Sequence, residues 1–193
     1  MHYDFPIIRH LNDVLPAIEG TDEFSVNEKD GYTIVNYNVQ KEHTFDINHE
    51  HAAMRRECRG LKFYPNGEIA ARTLHKFFNV NEKPETQSHL IDLSKPHVVM
   101  EKLDGSMIHP MMVNGYIRWM TKMGITDVAM QAEEFIAKNT NYKDFAAWCI
   151  ENGITPTFEW TSPRNRIVVP YKNDQLTLLA VRENLTGHYL NIK

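Results

Sequence analysis

The sequence has little of what would place it in several common classes. Only two of its 193 residues are cysteines, Cys58 and Cys149. Two isolated cysteines in such a chain read as reduced thiols rather than a disulfide framework. No apolar run approaches the roughly 20 residues of a membrane span. The opening, Met1-His2-Tyr3-Asp4-Phe5-Pro6, lacks the basic-then-apolar order of a signal peptide. An intracellular location is therefore expected. Asn184-Leu185-Thr186 matches a glycosylation sequon but, without a secretory signal, reads as chance. No internal repeat or low-complexity segment stands out. Positive charge is not in excess either. The net charge of −4 argues against non-specific coating of nucleic acid, while leaving room for a local basic groove.

What is there is a globular balance, with 42% hydrophobic and 24% charged residues, in a chain long enough for one domain with a real core. Ile7, Ile8, Leu11, Val14, Leu15 and Ile18 fall at helical spacing, with Pro16 weakening the last turn. Phe24–Val26 and Tyr32–Tyr37 read as strands joined at Asp30-Gly31. A second hairpin is expected from Gly60 to Lys76, turning at Pro65-Asn66-Gly67. A third carries Val98-Val99-Met100 through Lys102 and turns at Asn114-Gly115 into Tyr116–Met120. Thr126 can cap a helix presenting Val128, Ala129, Ala132, Phe135 and Ile136 on one face. A second helix is expected over about Tyr142–Asn152, with Gly153 as its stop. Strands resume at Thr157–Trp160, Arg166–Val169 and Leu176–Val181. Hairpins dominate and no βαβ alternation appears, so the expected fold is α+β, mainly antiparallel sheets with flanking helices.

Basic residues cluster in two stretches, Arg55, Arg56, Arg59 and Lys62, then Arg164, Arg166 and Lys172. On charge alone both read as solvated surfaces. His43, His49 and His51 lack nearby cysteines or a helical pairing, and read as a polar loop rather than a metal site.

The run Glu101-Lys102-Leu103-Asp104-Gly105-Ser106 carries the most chemistry. In an extended segment Lys102 and Asp104 would share a face, an amine beside a carboxylate. Gly105 lets the main chain approach a ligand closely, and Ser106 adds a hydroxyl that can donate to phosphate or sugar. A lysine attacks phosphorus only as a neutral amine. Since a free lysine titrates near about 10.4, neighbouring cations or desolvation must favour that form. The pattern therefore implies further basic residues in the same pocket. Lys-x-Asp-Gly is short, and alone it reads better as a plain surface turn.

Its surroundings make it specific. Glu57-Cys58-Arg59-Gly60, His75-Lys76-Phe77-Phe78-Asn79, Thr121-Lys122-Met123-Gly124 and Phe158-Glu159-Trp160-Thr161-Ser162-Pro163 occur in order around it. Asn165–Tyr171 and Val181-Arg182-Glu183-Asn184 follow. Together they resemble covalent nucleotidyltransferases, and among these the phage-type, ATP-dependent RNA ligases of the RNA ligase 1 class, associated with tRNA repair. The resemblance covers nearly the whole chain. It implies an adenylation domain and a three-step ligation. A lysine takes AMP from ATP with loss of pyrophosphate, AMP passes to an RNA 5′-phosphate, and a 3′-hydroxyl displaces it. It also implies magnesium as the metal, RNA (cleaved tRNA among the candidates) as partner, and the cytoplasm, a host cell's if a phage encodes the protein.

Carried over residue by residue, the resemblance makes Lys102 the nucleophile. Asp104 and Gly105 shape its loop, and Arg59 lies beside the nucleotide; on the residues alone Arg59 could instead be a surface ion pair with Glu57. Lys76 and Phe78 become a phosphate contact and an aromatic wall; on the residues alone Phe77 and Phe78 could instead be core. Lys122 lies on the strand after the nucleophile, within reach of the same pocket. Glu159, facing opposite to Phe158 and Trp160 in a strand, lies near ribose or metal. The family's later motifs, an acidic residue near a glycine and a late pair of lysines, are not found before Lys193. Residues 1–193 are therefore expected to be the N-terminal portion of an adenylation domain. A fragment, one half of a split enzyme completed by a partner chain, and a nucleotide- or RNA-binding module that does not ligate all remain open.

Overall fold

The computed structural model describes residues 4–191. The fold is α+β, with two antiparallel four-stranded sheets. Sheet 1 holds β1 (Phe24–Lys29), β2 (Tyr32–Tyr37), β3 (Arg59–Phe63) and β4 (Ile69–Ala71), in chain order. Sheet 2 holds β5 (Ser106–Val113), β6 (Tyr116–Met120), β7 (Ile154–Thr161) and β8 (Gln175–Glu183), in the order β6-β5-β7-β8. The helices are α1 (Leu15–Ile18), α2 (Ala52–Glu57), α3 (Asp127–Ile136) and α4 (Thr140–Glu151). Among the described residues no helix is long and apolar enough to cross a membrane. The expected hairpin turns form. Asn114 and Gly115 both have positive φ, at 48° and 82°, as a tight turn between twisted strands requires.

Alternation along the strands sends side chains into different layers. Val35 and Leu61 join a core with α1, Cys58 and Phe45. Phe158 and Trp160 pack with Trp119 beneath α3 and α4. Tyr32 and Ile34 face the other way and meet Met111, Val113 and Met120 between the sheets. Thr126 caps α3, its hydroxyl accepting from the Ala129 amide. Both thiols are buried and free. Asn184 of the sequon is buried too, bonded to Thr155 and to the Ala70 carbonyl, so its amide is not presented for modification.

Three expected elements differ. The helix over 7–18 shrinks to α1, preceded by a 3-10 turn at Leu11–Asp13. Ile8 and Arg9 stay outside the helix because Ile8 donates to the Leu185 carbonyl and Arg9 accepts from the Ile69 amide. Pro16 sits in the first turn of α1, where its missing N–H costs nothing. Val98–Met100 is not a strand. These residues are 77%, 87% and 76% exposed, and β7 pairs with β5 only over Ser106–Ile108, leaving the chain before Ser106 without a ladder partner. Arg166–Val169 also lies outside both sheets, since the Val168 and Val169 amides donate to the same Asp104 oxygen rather than to a neighbouring strand.

The first basic stretch is not a solvated surface either. Arg55, Arg56 and Lys62 are buried. Arg55 donates to the Ala17 carbonyl and Arg56 pairs with Glu85. In the second stretch Arg164, Arg166 and Lys172 are exposed, and Arg164 pairs with Glu134.

Candidate functional site

The interface between the sheets changes character along its length. At one end it is the apolar cluster around Ile34 and Met111. In the middle Lys62, cross-strand partner of Ile34, meets His109 at 2.9 Å. At the far end the facing residues are polar: Arg59 on sheet 1, Glu159 on sheet 2, and Lys102 on the segment leading into β5.

A bulge aims Arg59 into this cleft. Val35 pairs with Leu61 but Asn36 pairs with Arg59, so Gly60 is the extra residue, with φ +75°. Without it, alternation would put Arg59 on the same face as Leu61, in the first core. The inserted glycine shifts the phase, and Arg59 shares the face of Asn36, Ile34 and Lys62. Its Nη1 is buried with no hydrogen-bond partner among the described residues, and its guanidinium lies 5.2 Å from the Phe77 ring. Glu57 does not pair with it. Instead Glu57 is buried between Arg72 and Arg182, at 3.0 Å from each. Burial pushes the Glu57 carboxyl up, but the bonds and charges of the two arginines outweigh it and hold it below its usual value.

Lys102 is exposed and lies close enough to Glu159 and Asp104 to act on both charges. Asp104 is not a free base beside the amine. Its Oδ2 accepts the Val169 and Val168 amides at 2.7 Å each, and its own amide donates to the Tyr171 hydroxyl at 3.0 Å. Those two amides, with the Lys102 charge, hold the carboxyl low. The Gly105 amide donates to Glu159 Oε1 at 2.9 Å. A Cβ on Gly105 would collide with the Trp160 carbonyl, so only glycine lets the Lys102 loop close onto β7. Ser106 is bonded to Asn165 rather than presented to a ligand. Burial raises the Glu159 carboxyl, opposed by the Gly105 amide and by Lys102 and Arg59. One carboxylate is thus shared electrostatically by Lys102 and Arg59.

The remaining basic residues converge on Tyr37, which the sequence reading placed in a strand but gave no role. Lys122 Nζ lies 4.8 Å from its ring centre and Lys76 Nζ 5.8 Å. Lys76 also lies 4.6 Å from the Phe78 ring, which Arg56 and Lys83 approach to 5.2 and 5.6 Å. Phe78 packs partly against the first core, whereas Phe77 is exposed. The turn carrying Lys122 rests on Gly60, which ties this group to Arg59. The signal for Tyr37 was an aromatic residue ending β2 at the polar edge. The signal for Gly60 was a glycine opening a strand.

Among the described residues no group of three or more His, Cys, Asp or Glu could hold a metal. His49 and His51 make a local turn, the His51 amide donating to His49 Nδ1 at 3.0 Å. A separate cleft of about 740 Å³, lined by Lys29, Tyr116, Arg118 and Lys143 among others, contains none of Arg59, Lys76, Lys102, Lys122 and Glu159.

Comparison with known proteins shows the family. A protein of Thermovibrio ammonificans named "Putative RNA ligase" is 36% identical over 182 residues, which are 93% of this chain and 46% of that protein. RNA ligase 1 of Bacteriophage TS2126 is 28% identical over 194 residues, 93% of this chain and 47% of that protein. The chain spans about half the length of the curated relatives it matches. A family model described as RNA ligase matches residues 57–193, a span that begins at the buried Glu57 and takes in Arg59, Lys102 and Glu159. The chain therefore belongs to the phage-type RNA ligase family.

Proposed function

We propose that this chain carries the adenylation site of an ATP-dependent RNA ligase, with Lys102 as the nucleophile. The observation that carries the reading is the shared carboxylate. Lys102 and Arg59 both act on Glu159, and the buried Nη1 of Arg59 has no partner among the described residues, as suits a group that awaits a phosphate or sugar oxygen. Lys102 Nζ, having lost a proton, attacks the α-phosphorus of ATP. A P–N bond forms and pyrophosphate leaves with the bonding pair. AMP then passes to an RNA 5′-phosphate, restoring the amine, and a 3′-hydroxyl displaces AMP to join the ends. Arg59, Lys76 and Lys122 contribute by holding phosphate charge in place. Phe78 walls the pocket, and Asp104 and Gly105 set the loop.

Magnesium fits this donor set. It binds through one or two carboxylates plus phosphate oxygens, and Glu159 offers one, with only Oε1 engaged by Gly105. When bound it would neutralise phosphate charge. ATP over GTP, and RNA bearing a 5′-phosphate and a 3′-hydroxyl, belong to this proposal and rest on the family. So do cleaved tRNA and a cytoplasmic site of action.

Incubation with ATP labelled at the α-phosphate, with magnesium, tests the reading. Covalent AMP on this chain, absent from Lys102→Ala, is expected. Label surviving in Lys102→Ala would overturn the assignment of the nucleophile. A second reading, a nucleotide- or RNA-binding module that does not ligate, draws on the half-length match to the relatives. Label that appears only when the other half of the Thermovibrio relative is added in trans would exclude it. Binding of ATP without label in either format would favour it. Competition among the four triphosphates tests the choice of ATP.

A further inference from the structure

Lys62 is fully buried, and no acidic side chain is paired with it among the described residues. A lysine so placed is costly unless every donor is used. Its Nζ lies 3.0 Å from the Gly60 carbonyl, 3.0 Å from the Thr121 carbonyl and 2.9 Å from His109 Nε2. The state of His109 follows from its other nitrogen. Nδ1 lies 3.2 Å from the Pro110 carbonyl, which can only accept, so Nδ1 carries the proton and Nε2 is an acceptor. Lys62 therefore faces three acceptors, and an ammonium with three N–H groups satisfies them all.

These three acceptors stand on three different parts of the cleft. The Gly60 carbonyl belongs to the bulge that aims Arg59. The Thr121 carbonyl immediately precedes Lys122. His109 lies on β5, the strand that follows the Lys102 loop. We propose that Lys62 is a positioning residue of the nucleotide site: its ammonium fastens the Arg59 bulge, the Lys122 turn and β5 together, so that Arg59 and Lys122 reach the same polyphosphate. This rests on reading the cleft as a nucleotide site.

The fastening is sensitive to protonation. Burial lowers the Lys62 amine to about 7. A neutral amine has two N–H groups and sets its lone pair against that of Nε2, so one of the three ties is lost. The groups around it do not mask this. His109, from β5, is held neutral by burial and by the Lys62 charge. The cross-strand neighbours on β2 and β4 are Ile34 and Ala71, which do not titrate. Arg59 and Lys122 flank the tied carbonyls.

The test is calorimetric titration of ATP and of adenosine, from pH 7 to 9, into the wild-type chain and Lys62→Met. In the wild type, ATP affinity is expected to fall about tenfold across this range while adenosine affinity stays level. Lys62→Met is expected to bind ATP about tenfold more weakly at pH 7, with no pH slope and unchanged adenosine binding. Wild-type affinity and slope in Lys62→Met would overturn the positioning role, as would equal losses for ATP and adenosine, which would indicate structural damage alone. If Lys62→Met does not fold, an NMR titration of the wild-type lysine side chains decides. The midpoint of the ATP slope must coincide with that of Lys62, and a mismatch overturns the proposal. A wild-type chain that binds no ATP at any pH would sink the nucleotide reading itself, an outcome distinct from the others.

Discussion

Gly60 and Lys122 are in direct backbone contact: a Cβ at Gly60 would stand 2.7 Å from the Cα, the Cβ and the carbonyl oxygen of Lys122. Gly60 also holds φ +75°, a conformation costly for any side chain. Gly60→Ala must push away the turn that carries Lys122 and strain the bulge that aims Arg59. A stability loss of about 1–3 kcal/mol is expected, together with a loss of ATP affinity larger than the loss of adenosine affinity. Urea denaturation and calorimetric titration check both.

Asp104 ties two loops together without contributing to a buried core. Its carboxylate collects the Val168 and Val169 amides, and its amide reaches Tyr171. Asp104→Ala is expected to release the Lys102 loop from the segment after β7. Covalent labelling by ATP should fall at least tenfold while the melting temperature stays near that of the wild type. A variant that labels normally would show that the tie is dispensable.

Glu57 is a different case, because its partners have no solvent to fall back on. Arg72 and Arg182 are both buried, and Arg182 holds both carboxylate oxygens at 3.0 Å. Glu57→Gln leaves two guanidiniums facing a neutral amide, which should cost about 3–5 kcal/mol. The folded pKa of Glu57 lies below its ordinary value. Its stabilisation is therefore present above about pH 4.3 and is lost as the pH falls through the folded value. Acid denaturation of the wild type should be steeper below about pH 4.3 than that of Glu57→Gln.

What could be read from the sequence was decided by local signals. The Asn114-Gly115 turn and the Thr126 cap are set by the residues that make them, and both form. Val98–Met100 and Arg166–Val169 have β-rich composition, but a strand needs a neighbour, and the sequence does not say where a sheet ends. The period-two argument that placed Lys102 beside Asp104 assumed a strand where there is none, although the Lys102 charge does act on Asp104. The candidate site residues were legible as an ordered set of motifs. Their geometry was not, because a one-residue bulge at Gly60 decides which face Arg59 occupies. Lys62 read as one more surface charge, since only the packing of two sheets buries it.

That burial has a consequence for the folded chain as a whole. The Lys62 amine is lowered to about 7 in the folded state from an ordinary value of 10.5. Between these values the unfolded chain binds the proton that the folded chain has shed, so stability rises with pH across the window, with a slope of up to about 1.4 kcal/mol per pH unit. Cys58 and Cys149 act in the opposite sense at higher pH, because burial raises both thiols. The window to measure is therefore pH 7 to 8.5. Urea denaturation of the wild type should show stability rising there, and Lys62→Met should show no such rise. The same charge would then weaken the fold while fastening Arg59 and Lys122. A parallel pH slope in both proteins would mean that Lys62 keeps its proton throughout and that another group accounts for the change.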